Sequence, residues 1–350
     1  MITFYPGPSK IYSEIAGFMQ DAFDSGILQL NHRSRPFMAM LETTIQLLHQ
    51  RLNIPQEYAI CFTSSATECW EIIAQSLVKN KVNHIYNGAF GQKWFEYSAK
   101  IKSASGTEFG LQETIFQANI DTDADLICIT QNETSNGTQV SMESLVEIKN
   151  RLNTDTIIAI DATSSMAGQV FNWHLADVWF ASVQKCFGLP AGMGIMVYSP
   201  KALERAKEIN DRKFYNSLLF IHENFQQFQT HYTPNVLGIY LLKRVLEFIP
   251  NINETAAKLS NRATEMYAFL ARNNYNLLIE NEAVRSETVM VISMQSADNE
   301  KLKINASQNG IVLGSGYGKL KETTFRIANF PAISDADFDQ LKAFITSYKP

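Results

Sequence analysis

The chain has 350 residues, 45% of them hydrophobic, so it is long enough to bury a full core and to divide into two domains. Its formal net charge of -5 and pI near 5.8 argue against the broad basic surface that nucleic-acid binding needs. No apolar run approaches the roughly 20 residues of a membrane helix, and the N-terminus lacks the pattern of a secretory signal. We expect neither a nucleic-acid nor a membrane partner.

The cysteines predict a reducing compartment. All four lie in or beside apolar runs and lack the spacing of metal ligands: Cys61, Cys69, Cys128 and Cys186. Because disulfides are rare in the cytosol and free cysteines are typical of it, we expect a cytoplasmic location. We also expect no metal site.

The first clear helix is amphipathic and follows a basic loop. Residues 37–52 carry one stripe at helical spacing, formed by Phe37, Met40, Leu41, Thr44, Leu48 and Leu52. Proline disfavours helical backbone at the residue before it, so we predict a loop over residues 31–35 and a helix start after Pro36. Taken alone, His32, Arg33 and Arg35 in this loop would be a solvated basic turn.

A strand and a capped helix come next, and together they predict an anion site. Residues 59–63 form a short buried strand, and Ser65 with Glu68 has the spacing of a capping box for the following helix. A helix N-terminus after small hydroxylated residues offers free N–H groups and the positive end of the helix dipole. Ser65, Ala66 and Thr67 are therefore candidate phosphate ligands, with an ordinary capped helix as the alternative.

Strand-like runs then alternate with helical patterns, which predicts an α/β fold with a mostly parallel sheet. The runs span residues 84–86, 126–130, 156–160, 178–183 and 194–198, with a helix over 142–152. From about residue 251 the pattern changes to a long helix, three strands and a last helix. We expect an N-terminal arm over residues 1–15 near the small domain, a large domain over 16–250, and a small α+β domain over 251–350.

The most informative residues stand at the ends of two predicted strands. Lys185 follows the run 178–183, and Asp161 ends the run 156–160. Buried lysines lose their proton readily, which suits them to Schiff-base chemistry, and open α/β sheets bind ligands at the carboxyl ends of their strands. A lysine and an aspartate so placed suit pyridoxal phosphate (PLP). Each residue alone also fits a solvated strand end or a helix N-cap.

Short motifs in a fixed order make the chain resemble the class V aminotransferases of PLP fold type I. The matching segments are Pro6-Gly7-Pro8, Asn31-His32-Arg33-Ser34, Thr63-Ser64-Ser65-Ala66-Thr67, Gly88-Ala89-Phe90-Gly91, Asn132-Glu133-Thr134-Ser135-Asn136-Gly137, Asp161, Gln184-Lys185 and Phe325-Arg326-Ile327. The resemblance extends over nearly the whole chain. It implies a transaminase that moves an amino group from a small amino acid to a 2-oxo acid, with PLP as its cofactor.

The resemblance also implies a role for each position. Lys185 would hold the cofactor and carry the reacting proton, while Asp161 would keep the pyridine nitrogen protonated. Further cofactor contacts are expected from Ser65, Ala66, Thr67, Phe90, Thr134 and Gln184. Phe90 departs from the tryptophan common in the family, so it keeps a stacking face but lacks an N–H donor. Arg326 would bind the substrate α-carboxylate. Without the resemblance, Thr134 would be interpreted as a turn residue and Arg326 as a solvated strand position.

Two segments imply a homodimer with shared active sites. In the family, the loop that matches His32 and Arg33 reaches the active site across the dimer interface. A threonine that matches Thr233 touches the cofactor phosphate of the neighbouring subunit. From the sequence alone, Thr233 would belong to the N-cap region of the next helix.

The substrate stays open between two alternatives. His32 and Arg33 match the family's phosphate-handling pair, which favours phosphoserine with 2-oxoglutarate. The second His-Arg pair that many phosphoserine enzymes have ahead of the carboxylate arginine is missing. The sequence of residues 314–321 instead resembles that of the family members that transfer an amino group from serine or alanine to glyoxylate. In place of the missing pair, Lys319 or Lys321 would supply a positive point charge for the substrate phosphate.

Two functions of other kinds are disfavoured. A lyase such as a cysteine desulfurase needs a mobile cysteine on a loop, whereas Cys186 adjoins Lys185 and the other cysteines lie in apolar runs. A catalytically silent PLP-fold binding protein would have no need of both Lys185 and Asp161.

Overall fold

The computed structural model describes residues 1–348, which fold around a seven-stranded and a five-stranded sheet. The strands are β1 (Ile2–Phe4), β2 (Ala59–Thr63), β3 (Lys81–Tyr86), β4 (Ser103–Glu108), β5 (Leu126–Thr130), β6 (Asn132–Glu133), β7 (Thr138–Gln139), β8 (Ile157–Asp161), β9 (Val178–Ser182), β10 (Gly194–Tyr198), β11 (Asn276–Leu277), β12 (Val289–Ser293), β13 (Ile311–Ser315) and β14 (Thr324–Ala328). The α-helices are α1 (Ile15–Asp24), α2 (Arg35–Leu52), α3 (Ala66–Leu77), α4 (Ala89–Ser98), α5 (Met142–Arg151), α6 (Pro200–Ile209), α7 (Leu218–Phe225), α8 (Val236–Phe248), α9 (Ile252–Arg272), α10 (Ser296–Gln308) and α11 (Asp335–Ser347).

The large sheet has the strand order β2-β10-β9-β8-β5-β3-β4. Its strands are parallel except for β10, which runs antiparallel to both of its neighbours. Strands β8, β9 and β10 are buried along their whole length, as expected for a sheet covered on both faces by helices. The predicted α/β fold with a mostly parallel sheet is confirmed.

The small sheet combines both ends of the chain. Its strand order is β1-β13-β14-β12-β11, and β1 pairs in parallel with β13, with Ile2 opposite Ile311. The chain then crosses to the large sheet, where the backbone N–H of Ser9 donates to the carbonyl of Gln184 (3.1 Å). The N-terminal segment therefore contacts both sheets, and it reaches the loop that carries Lys185.

Helix α2 confirms the predicted apolar stripe but not the predicted start. All six stripe residues are buried. The helix begins at Arg35, one residue before the proline, because Ser34 is the N-cap and accepts a hydrogen bond from the N–H of Phe37 (3.4 Å). Pro36 lies in the first turn, where its missing N–H costs no helical hydrogen bond.

Helix α3 begins at the predicted cap. Ser65 Oγ accepts from the N–H of Glu68 (3.2 Å), whereas the Glu68 carboxylate accepts from the N–H of Ser64 (2.7 Å) instead of that of Ser65. The hydrogen bonds of the cap thus involve residues 64–68, one residue more than the predicted capping box of residues 65–68. Within the part of the chain that the structure describes, no helix is both long and apolar enough to cross a membrane.

Candidate active site

A cavity of about 430 Å³ is lined by residues of both sheets. Its walls come from the N-terminal segment, the ends of β5, β8 and β9, one side of α3 and α4, the loop after β13, and β14. Eight of the positions singled out in the sequence line it: Ala66, Thr67, Phe90, Thr134, Asp161, Gln184, Lys185 and Arg326. The register of the large sheet explains part of this convergence: Thr130 and Asp161, the last residues of the neighbouring strands β5 and β8, are paired.

Lys185 is buried in the cavity wall. Its ammonium donates a hydrogen bond to Thr134 Oγ1 (2.8 Å) and lies 5.4 Å from the centre of the Phe90 ring. Burial lowers the pKa of Lys185 to about 8, although the negative charges of Asp161 and Glu133 act in the opposite direction. The amine is therefore neutral in a substantial fraction of molecules near pH 8, as a nucleophile or base must be.

Thr134 belongs to a buried hydroxyl network. Its Oγ1 accepts from Lys185 and donates to Ser164 Oγ (3.0 Å), and Ser164 in turn donates to the carbonyl of Asn132 (2.9 Å). The network fixes the Thr134 hydroxyl beside the lysine. Thr134 lies in the predicted turn, and its hydroxyl is part of a fixed polar wall of the cavity.

Asp161 is buried at the end of β8. Its Oδ1 accepts from the N–H of Thr163 (2.9 Å). Burial raises the pKa of Asp161, while the hydrogen bond from the backbone N–H of Thr163 and the positive charge of Lys185 oppose that rise. A buried carboxylate of this kind favours a protonated nitrogen opposite it, because pairing offsets part of the cost of its desolvation.

Several buried polar atoms of the cavity have no hydrogen-bond partner among residues 1–348. They are the indole N–H of Trp70 and the hydroxyls of Thr130 and Thr163. Buried polar groups are nearly always hydrogen-bonded in folded proteins. Together with Lys185 and Asp161, these atoms fit a polar, aromatic ligand that carries a carbonyl carbon and a basic nitrogen, as PLP does.

The N-terminus of α3 forms another part of the wall. The N–H of Ala66 donates to Ser182 Oγ (3.3 Å), and Thr67 is exposed to the cavity. Ser65 does not line the cavity, because its side chain caps the helix. Gly194 of β10 permits the close approach of this turn: a Cβ there would lie 2.4 Å from Thr63 Oγ1 and 2.6 Å from the carbonyl carbon of Ser65.

Arg326 is a buried side chain of β14. Its Nε donates to the carbonyl of Ser315 (2.6 Å) and its Nη1 to the carbonyl of Thr134 (2.8 Å). These two bonds fix the guanidinium on the cavity wall and leave its other N–H groups to bind a carboxylate. The alternative of a solvated strand position is wrong, since every residue of β14 is buried.

Besides Ser65, three predicted positions do not line the cavity of this chain: His32, Arg33 and Thr233. Arg33 and Thr233 are exposed. Burial and the charge of Arg33 lower the pKa of His32. Lys319 and Lys321 are also exposed and outside the cavity, so neither supplies its charge.

Cys186 is unsuited to the chemistry of a lyase. It is buried, donates through Sγ to the carbonyl of Ser164 (3.3 Å), and burial raises the pKa of its thiol. A catalytic cysteine needs an exposed, readily ionised thiol.

The sequence analysis missed several cavity residues. Trp70 lies one helical turn after Ala66 on α3, and Lys93 lies three residues after Phe90 on α4, so helical spacing was the signal that could have found both. Tyr5 and Tyr317 come from the N-terminal segment and a glycine-rich loop, where no periodicity points to them.

A sequence profile for aminotransferase class V matches residues 5–321. The chain belongs to this family. It is a transaminase whose cofactor is PLP, in agreement with the cavity built around Lys185 and Asp161. The expectations of family, fold type and cofactor are thereby confirmed.

The relatives include enzymes of both predicted branches. A phosphoserine aminotransferase from Rhodococcus opacus is 28% identical over 354 residues, covering 96% of this chain and 91% of the relative. The crystal structure of a phosphoserine aminotransferase from Cytophaga hutchinsonii is 30% identical, has a TM-score of 0.95, and covers 100% of this chain and 99% of its own. An alanine-glyoxylate aminotransferase from Nostoc sp. has a TM-score of 0.81 at 16% identity, covering 98% of this chain and 94% of its own, which shows the shared fold.

Proposed function

We propose that this enzyme transfers the amino group of phosphoserine to 2-oxoglutarate. The observation that carries the proposal is the similarity, over the whole chain, to the phosphoserine aminotransferase of Cytophaga hutchinsonii, at 30% identity and a TM-score of 0.95. The alanine-glyoxylate enzyme of Nostoc sp. is less similar on both measures. The absence of a second His-Arg pair from residues 314–321 favours glyoxylate transamination from serine or alanine as the second candidate.

In this proposal, Lys185 is the group that holds the cofactor and moves the proton. Its hydrogen bond to Thr134 Oγ1 fixes the position of Nζ, and its lowered pKa supplies the neutral amine that must take the proton from the substrate Cα. PLP supplies the electron sink that lets this proton leave. Asp161 holds the ring nitrogen in its protonated form, since its buried carboxylate needs a cationic partner.

The remaining cofactor contacts come from residues around the same cavity. The first turn of α3, where Ala66 and Thr67 line the cavity and Ser65 caps the helix, would bind the phosphate through N–H and hydroxyl groups. Phe90 would stack on the ring of the cofactor, and Thr134 would contact its phenolic oxygen if its hydroxyl proton turned away from Ser164. Gln184 completes the polar wall beside the lysine.

Arg326 binds the α-carboxylate of the substrate. The carbonyls of Ser315 and Thr134 fix its guanidinium before substrate arrives, so little side-chain entropy is lost on binding. Every amino donor carries this carboxylate. Arg326 therefore sets the orientation of the substrate and not the choice among donors.

We also propose a homodimer in which each subunit completes the other's site. His32, Arg33 and Thr233 lie outside their own cavity, so they would act on that of the neighbour. Next to Thr233, the exposed rings of Tyr215 and Phe220 lie 5.7 and 6.1 Å from the His231 ring, which supports an interface there. The four buried, unbridged cysteines support a cytoplasmic location.

Steady-state kinetics with two substrate pairs test the proposed function. We expect the highest kcat/KM for phosphoserine with 2-oxoglutarate, and a lower value for serine or alanine with glyoxylate. A preference for the glyoxylate pair would replace the proposal by the second candidate. The Lys185→Ala variant is the control for background turnover, because it lacks the amine that transfers the proton.

A further inference from the structure

Helix α4 presents two side chains to the same cavity. Phe90 and Lys93 are three residues apart, which places them on one face of the helix, and both line the cavity wall. Phe90 lies close to Lys185 at the centre of the site. Lys93 is exposed and stands at the rim.

Tyr317 connects Lys93 to Arg326. The Lys93 ammonium donates a hydrogen bond to the Tyr317 hydroxyl (2.6 Å) and lies 5.0 Å from the centre of its ring. The same ring stacks on Phe90, with centroids 4.9 Å apart and an interplanar angle of 29°. Arg326 Cζ lies 5.8 Å from the Tyr317 centroid. Two cations therefore flank one aromatic ring on the cavity wall.

Lys93 forms no direct ion pair in the described part of the chain, although the negative charge of Glu96 acts on it. Within residues 1–348, no Asp or Glu oxygen lies within 4.0 Å of its ammonium. Asp161 is the only carboxylate that lines this cavity in the described part of the chain, and it acts on Lys185. An ammonium has three donors, so one bond to Tyr317 leaves two for an anion. The hydrogen bond to Tyr317 also raises the pKa of Lys93, which keeps it charged.

We propose that Lys93, positioned by Tyr317, is a specificity-determining residue that binds the distal anionic group of the substrate. Arg326 would hold the α-carboxylate, and Lys93 the phosphate of phosphoserine or the side-chain carboxylate of glutamate and 2-oxoglutarate. As a point charge, the ammonium accepts either anion. This inference rests on the proposed function and refines it. Lys93 supplies a positive charge at the rim of the cavity, whereas Lys319 and Lys321 lie outside the cavity.

Donor ratios in a Lys93→Gln variant of the holoenzyme test the proposal. We expect kcat/KM for phosphoserine and glutamate to fall about tenfold or more relative to serine and alanine, because a charge-assisted contact is lost. Lys102→Gln, just after the end of α4 and outside the cavity, removes the same charge and should leave the ratios unchanged. Tyr317→Phe keeps the stacking ring but lacks the hydroxyl, so it should lower the same ratios by less.

The outcomes are distinct. Unchanged donor ratios in Lys93→Gln, or an equal loss with all donors, would overturn the role of Lys93. A wild-type enzyme that prefers alanine to phosphoserine would contradict the proposed function. The role of Lys93 is still tested in that case by the two acceptors. In Lys93→Gln, the ratio of kcat/KM for 2-oxoglutarate to kcat/KM for glyoxylate should also fall, because only 2-oxoglutarate carries a distal carboxylate. An unchanged ratio would refute the inference.

Discussion

The carboxylate of Glu133 covers the N-terminus of α4, where its Oε2 accepts from the backbone N–H of Phe90 (3.1 Å). The same oxygen accepts from the N–H of Gly91 (3.1 Å), and Oε1 accepts from the N–H (2.9 Å) and hydroxyl (2.6 Å) of Ser135. A negative charge there is favoured by the helix dipole, even though burial raises the pKa of Glu133. The carboxylate thus fixes the turn that carries the Phe90 ring into the cavity.

Gly88→Ala should disturb this arrangement. A Cβ at position 88 would lie 2.3 Å from Glu133 Cγ, so the carboxylate and the first turn of α4 would have to move. We expect a loss of about 1–3 kcal/mol in the free energy of unfolding, measured by denaturant titration. Gly17→Ala in α1, where a Cβ meets nothing within 4 Å, is the matched control and should be neutral or stabilising. Equal stability of both variants would refute the constraint at Gly88.

Asp161→Asn should retain PLP but lose most of its turnover. A neutral amide cannot hold the ring nitrogen in its protonated form, so the electron sink is weakened while the contacts that bind the cofactor remain. The decrease should appear in kcat more than in KM, as single-turnover and steady-state kinetics will show. A kcat within a few-fold of the wild-type value, with PLP occupancy confirmed by absorbance, would contradict the proposed role of Asp161.

The buried Lys185 should give the apoprotein a distinctive pH dependence of stability. Its pKa is about 8 in the folded state and near the usual 10.5 when unfolded, so between these values the unfolded chain binds more protons. The free energy of unfolding should therefore rise from pH 8 to 10.5 through this group, by on the order of 2 kcal/mol. Lys185→Met should lack this rise and be more stable than wild type below pH 8. Parallel curves for the two proteins would show that Lys185 is not desolvated.

Much of the fold was predictable because burial and spacing leave clear periodic signals. The stripe of α2, the cap at Ser65 and the buried strands of the large sheet follow from local sequence alone. The pairing of β1 with β13 was not predictable, because it joins segments about 300 residues apart and no local pattern selects that partner.

The site was only partly predictable for a related reason. Strand ends identified Lys185 and Asp161, and the resemblance added Arg326. The connection of Lys93 through Tyr317 depends on a contact between α4 and a loop after β13, which only the folded chain brings together. Glu133 lies in a turn-forming segment whose composition gives no sign that its carboxylate caps a distant helix.

A shared active site should be recoverable by mixing inactive subunits. Lys185→Ala lacks the reacting amine, and Arg33→Ala lacks the loop cation that we propose acts on the neighbour. A heterodimer of the two carries one site with both residues intact, so activity with phosphoserine should return. Size-exclusion chromatography with differently tagged subunits verifies the heterodimer, and verified heterodimers that stay inactive would refute the sharing of Arg33.

The most direct measurement of substrate choice is an internal competition. Phosphoserine and alanine are mixed at equal concentration with wild-type holoenzyme and 2-oxoglutarate, and the two 2-oxo acid products are quantified at low conversion. Their ratio equals the ratio of the two kcat/KM values, independent of enzyme concentration. We predict that 3-phosphohydroxypyruvate forms in large excess over pyruvate, with glutamate produced in equal amount to their sum. Predominance of pyruvate would contradict the proposed function.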